Sequence, residues 1–148
     1  MAFFLSDALK KAAGTTRGFL SASEIKQEIR KSQNFERDGT DPVNASALLI
    51  FSTSKQQTWL VATPKRLYCI LDDVRKPEPH INWSLDKKLL LDPNGKLKIR
   101  LRSKEYTDRS GLVDIGDKHQ DWIFTRSLFP SGNIEQRIEE LIRAQMGG

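Results

Sequence analysis

Trp-Leu-Val-Ala-Thr-Pro-Lys-Arg-Leu-Tyr-Cys-Ile-Leu-Asp, from Trp59 to Asp72, sets two apolar, β-prone runs on either side of a polar break. Trp59 to Ala62 and Leu67 to Leu71 read as strands, and Thr63, Pro64, Lys65 and Arg66 read as the reversal between them. Pro64 pre-sets its own φ and has no N–H to give a ladder, so the chain turns there. Neither run alternates. A strand with one wet face would show polar residues at every second position, so both faces of this hairpin are expected to be covered.

Composition narrows the class around that hairpin. The 148 residues suit one domain with one core, and 29% charged with 38% hydrophobic residues is the balance of an ordinary globular chain. The single cysteine, Cys69, excludes an intramolecular disulfide and points to a reducing compartment. No uninterrupted apolar run reaches the ~18 residues of a membrane span, and the first residues do not read as a signal peptide, so the expected location is cytoplasmic. A net charge of +5 permits an anionic partner.

Outward toward the N-terminus, residues 2–13 place Leu5, Ala8, Leu9 and Ala12 at helical spacing behind Phe3 and Phe4, and Gly14 ends the pattern. A second helix is expected from about Ala22 to Ser32. Ser21 and Glu24 have capping-box spacing, and Leu20 can staple to Ile25. Its stripe of Ala22, Ile25 and Ile29 reads as too narrow for a core helix, yet so short a helix is marginal alone in water, so Phe3, Phe4, Leu9 and Ile29 are expected to bury against the β-domain or a second subunit. Residues 33–44 read as linker. The expected division is therefore a helical extension and linker over 1–44 and a β-domain over 45–148.

The β-domain begins with a strand over Ser46 to Ser52 and continues into the Trp59 hairpin. Residues 80–92 alternate imperfectly: Ile81, Trp83 and Leu85 share one parity, and Leu89 to Leu91 look buried, so a bulged strand or two short ones are expected. Asp92, Pro93, Asn94 and Gly95 carry type I turn preferences at successive positions. Lys96 to Lys104 then alternates cleanly, with Leu97, Ile99 and Leu101 on one face and Lys96, Lys98, Arg100, Arg102 and Lys104 on the other. A polar loop follows over Glu105 to Ser110, then strands over Gly111 to Ile115 and Trp122 to Arg126. A final helix from about Asn133 to Ala144 carries Ile134, Ile138, Leu141 and Ile142 on one face, with Asn133 and Gln136 as its cap pair.

About seven short antiparallel strands followed by one amphipathic helix is an order similar to that of the pleckstrin-homology-like superfold. The turn Thr63, Lys65, Arg66, Leu67, followed by Tyr68, resembles that of bacterial PH-like and GRAM-type domains. The resemblance spans roughly residues 45–145. It implies a mainly β (α+β) fold, an open barrel with a C-terminal capping helix, preceded here by two short N-terminal helices. It also implies a binding module, although fold does not fix the ligand. Relatives that grip phosphoinositides carry several cations in the loop between the first two strands, whereas Ser54, Lys55, Gln56 and Gln57 supply one.

The expected function is thus a non-enzymatic adaptor that binds a protein or peptide at a sheet edge or final helix, or self-associates through the N-terminal helices. The alternative is a peripheral membrane adaptor for anionic lipid, using Lys96, Lys98, Arg100, Arg102 and Lys104 together with Lys65 and Arg66 of the turn. Nucleic acid is disfavoured because the cations interleave with aliphatics rather than with aromatics that could stack on bases. No metal or cofactor is expected, since His80 and His119 are isolated. Asp114, Asp117, His119 and Asp121 read as turn and strand-edge polarity, with no nucleophile beside them.

Overall fold

Residues 17–35, 39–107, 110–116, 121–127 and 133–147 are described by the computed structural model. In chain order they form α1 (Ala22–Gln27), extended by a 3-10 turn over Glu28–Lys31, then a 3-10 turn at Pro42–Asn44 and the strands β1 (Ser46–Ser52), β2 (Gln56–Ala62), β3 (Arg66–Asp73) and β4 (His80–Asp86). There follow a helical turn α2 (Lys87–Leu90), β5 (Arg100–Thr107), β6 (Ser110–Gly116), β7 (Asp121–Ser127) and α3 (Asn133–Met146). The class is α+β and every strand pairing is antiparallel. The strands do not close into the expected barrel. They make two separate sheets, ordered β1-β2-β3-β4 and β5-β6-β7, and β1 approaches β7 without a ladder between them among the described residues. The expected helix over residues 2–13, with Phe3, Phe4 and Leu9, and the chain end of the β section at Leu128, Phe129 and Pro130 lie outside the described residues.

Both faces of the four-stranded sheet are covered, as the unalternating hairpin requires. Leu48, Ile50, Leu60, Leu67 and Cys69 face α3, whose Ile134, Ile138 and Ile142 are completely buried. Trp59, Val61, Tyr68 and Ile70 face the other way, against Ile25 and Ile29 of the N-terminal helical segment. Ile25 and Ile29 have no exposed surface, so the narrow stripe belongs to a core helix after all. The two isoleucines pack with Trp59, Val61, Tyr68 and Ile70, and Leu20 and Phe35 add to the same cluster. Each isoleucine contributes roughly 1.5–3 kcal/mol by leaving water. The capping box forms as expected: Ser21 Oγ accepts from the Glu24 N–H and Glu24 Oε1 accepts from the Ser21 N–H. Leu20 and Phe35 pack at the rim of the same cluster, so part of the expected linker is bound to the sheet.

Other corrections concern residues 80–107. Ile81 and Trp83 share a parity but not a face, because a bulge opposite Cys69 and Ile70 inserts Asn82 between them. Trp83 joins Leu85 on the α3 side and Ile81 packs on the α1 side. Leu89 to Leu91 is no strand: Asp86 Oδ1 accepts from the Lys88 N–H and starts one helical turn, which buries Leu90 and Leu91 and leaves Leu89 exposed. The type I turn at Asp92 forms, with Asp92 Oδ1 accepting from the Asn94 and Lys96 N–H groups and Gly95 at φ 79°. It closes a single bridge, Leu91 to Leu97. The strand expected over Lys96 to Lys104 starts at Arg100 and runs on to Thr107, so Glu105 to Thr107 is ladder and not loop. α3 spans Asn133–Met146, and the cap role expected of the Asn133 side chain lies outside the described side chains.

Candidate functional site

Register places three connections at one end of the four-stranded sheet. β1 starts at Ser46 opposite Ala62, where β2 ends, and β3 starts at Arg66 opposite Asp86, where β4 ends. Pro42–Asn44, the Thr63 to Lys65 turn and α2 therefore leave the sheet from the same edge. The C-terminus of α3 reaches this end too: the Gln145 amide donates to the Asn44 carbonyl at 3.0 Å and to Ser46 Oγ at 2.7 Å, and Arg143 donates to the Gly95 carbonyl at 3.1 Å.

The hairpin turn is built by Thr63, whose buried Oγ1 accepts from the N–H groups of Lys65 (3.2 Å) and Arg66 (3.0 Å). That fixes the backbone so that the Lys65 carbonyl accepts from the Lys87 N–H at 2.8 Å. Arg66 is drawn inward, with one nitrogen 3.3 Å from Asp86 and another donating to Ser84 Oγ at 3.0 Å, so it ties β3 to β4. Lys65 stays exposed.

Four further lysines gather beside it. Lys87, Lys88 and Lys98 line an open groove of about 530 Å³ with Leu91, the Asp92 turn and Met146. Lys98 donates its ammonium to the Lys88 carbonyl at 2.9 Å, a neutral acceptor that leaves its charge standing. Lys96 is exposed on the turn above. Among the described residues, Lys87, Lys88, Lys96 and Lys98 form no ion pair with a carboxylate. Three acids sit at this end: Asp86 is engaged by Arg66 and the Lys88 N–H, Asp92 by two backbone N–H groups, and Asp41, more exposed, by the Val43 N–H with Arg30 3.9 Å away.

At the opposite end arginines hold the two buried carboxylates. Arg17 lies 2.6 Å from the fully buried Asp72, which also accepts from the Leu20 N–H at 2.9 Å. Arg75 grips Asp73 with Nη2 at 2.7 Å and Nε at 2.9 Å, and these bonds hold the Asp73 carboxyl well below the usual carboxylate range, helped by the Arg75 N–H and the Gln56 amide. Lys55 and Lys76 are the exposed lysines near these loops.

The expected row of five cations on one strand face is therefore divided. Lys96 and Lys98 precede β5 and join Lys65 at the basic end, whereas Arg100, Arg102 and Lys104 sit in β5 opposite Gly116, Asp114 and Leu112. Sequence reasoning missed Lys87 and Lys88. Their signal was Asp86 as a helix cap before Lys-Lys-Leu-Leu, which turns the lysines outward. Asp117 and His119 lie outside the described residues, and Asp114 and Asp121 sit within β6 and β7. The Cys69 thiol is pushed up to about 12 by burial, which removes it as a nucleophile at neutral pH. Among the described residues there is no group of acidic, histidine and cysteine side chains able to hold a metal ion, and no helix is long and apolar enough to cross a membrane. No protein-family model, curated protein or solved structure matches the chain.

Proposed function

We propose that the chain is a non-enzymatic binding module of the PH-like class that engages an anionic partner through its lysine-rich end. The class rests on the order of elements: a four-stranded and a three-stranded antiparallel sheet, β1 near β7, and one apolar-striped helix at the end of the chain. The function rests on one observation. Lys87, Lys88, Lys96 and Lys98 come from two separate chain segments to one end, line or border one groove, and form no ion pair with a carboxylate among the described residues. Like charges gathered without counter-charge cost stability through mutual repulsion, which a bound anion relieves.

A heparin column tests this with net charge held equal. Lys87→Glu with Lys88→Glu is expected to elute at clearly lower salt than the parent chain, while Lys55→Glu with Lys76→Glu at the other end changes elution little. Equal shifts in the two variants would reduce the effect to overall charge and remove the site.

A second reading is favoured by the sheet order. The outer edges of β4 and β5 carry no strand partner among the described residues, so a protein segment can add there as a further strand. That mode is recognised by new hydrogen-exchange protection confined to β4 or β5 amides when a protein captured by the full chain is added.

A further inference from the structure

Two kinds of surface meet in the groove at the basic end. Lys87, Lys88 and Lys98 bring ammonium groups to its lining, and Leu91 and Met146 bring apolar atoms. Both apolar residues are buried, so they form a floor and not a projecting patch. The turn that starts at Asp92 makes one wall, and its backbone donors are spent. The Asn94 and Lys96 N–H groups donate to Asp92 Oδ1, and the Gly95 N–H donates to the Asp92 carbonyl. The Leu91 and Lys98 N–H groups donate to the carbonyls of Lys87 and Leu90. The Lys98 ammonium is fixed on the Lys88 carbonyl, and Arg143 of α3 holds the wall through the Gly95 carbonyl.

We propose that this groove takes an acidic polypeptide segment, with one aliphatic side chain seated over Leu91 and Met146 and carboxylates on either side meeting Lys87, Lys88 and Lys98. The proposal rests on the reading of the lysine-rich end as the functional one and adds the chemistry of the partner. A compact phosphate group is gripped by converging backbone N–H groups, and the N–H groups named here are already bonded. Asp92 also contributes to the lining and repels charge concentrated on one group. Carboxylates on separate residues spread their charge over the lysines and leave Asp92 uncovered. The floor then gives an aliphatic residue between them a place to leave water, and the flexible Met146 thioether adjusts to its shape. Nucleic acid and free polyphosphate have no aliphatic group to place there.

The test is fluorescence anisotropy of the full chain with a labelled peptide in which one leucine stands between runs of glutamate, compared with the same peptide carrying serine for leucine. The leucine peptide is expected to bind roughly fivefold more tightly, and both are expected to weaken as salt rises. Lys87→Glu with Lys88→Glu is expected to lose peptide and heparin alike at unchanged melting temperature, while Lys55→Glu with Lys76→Glu keeps both. The chain has two methionines, Met1 and Met146. In a chain labelled at its methionine methyl groups, the Met146 signal is expected to move with the leucine peptide and much less with the serine peptide. If the two peptides bind alike and Met146 is silent while the lysine variant loses heparin, the peptide is overturned and the anionic site stands. Pyrophosphate or phosphatidylserine vesicles that displace the leucine peptide at matched ionic strength, while leaving Met146 silent, would overturn it in favour of a phosphate ligand. If the lysine variant keeps heparin, the site itself falls and the peptide with it.

Discussion

Asp73 is a carboxylate that the fold keeps ionised, because both its oxygens accept hydrogen bonds from Arg75 and one also from Gln56. Its folded pKa is depressed, so the stability it contributes is fully present above the ordinary aspartate range near ~3.9 and is lost as pH falls from there toward the lower folded value. Urea midpoints measured below pH ~4 are expected to fall more steeply in the parent chain than in Asp73→Asn, and parallel curves would remove Asp73 as the cause. The adjacent Asp72 acts in a different way. It joins the N-terminal segment to β3 through Arg17 and the Leu20 N–H, and Asp72→Ala leaves the Leu20 N–H unanswered and takes the counter-charge from Arg17, which keeps only the carbonyls of Gly18, Asp73 and Lys76. The expected loss is about 1.5–3 kcal/mol, read by urea unfolding at neutral pH.

Among the elements, α1 with its 3-10 extension separates what the sequence made legible from what it did not. The cap was readable, because Ser21 and Glu24 act within one turn. The packing was readable in part: burial of Ile29 against the β-domain or a second subunit was expected, but the partners Trp59, Val61, Tyr68 and Ile70 lie far along the chain and were not. A clue did exist: strands apolar on both faces need two covers, and α3 can supply only one. Ile29→Ala is expected to cost about 2–5 kcal/mol in denaturant unfolding; a cost below 1 kcal/mol would mean the helix rests on the sheet without sealing it. Deleting residues 1–33 removes that cover and is expected to lower the melting temperature and expose apolar surface. On the opposite face, Ile138→Asp with Leu141→Asp is expected to leave the domain unfolded or molten. β1 and the turn at Asp92 were legible from local chemistry, whereas the β4 bulge was not, since one inserted residue changes the face of Ile81 without altering its parity.

At the scale of the whole molecule, charge is arranged by pole. The carboxylates at the β3–β4 loop are held by Arg17 and Arg75 beside the exposed Lys55 and Lys76, while at the far end Lys87, Lys88, Lys96 and Lys98 gather without an ion pair among the described residues. The composition reported only a mild excess of +5, and alternation in Lys96 to Lys104 suggested a basic strand. The asymmetry emerged from strand register, which brings Lys65, Lys87 and Lys98 together across gaps in sequence. Number and order of strands were likewise readable from turns, but closure was not, because it depends on how two sheets meet and no local pattern encodes that.

Cys69 sits mid-strand in β3, packed beneath α3, and burial keeps its thiol protonated. It therefore behaves as a clock built into the native chain. A thiol reagent can reach it only when the sheet parts from the helix that covers it, so the alkylation rate under native conditions counts those openings directly. Any ligand that binds the closed form must slow the clock in proportion to its occupancy, and acidic vesicles or a candidate protein can thus be ranked without a label or an altered residue.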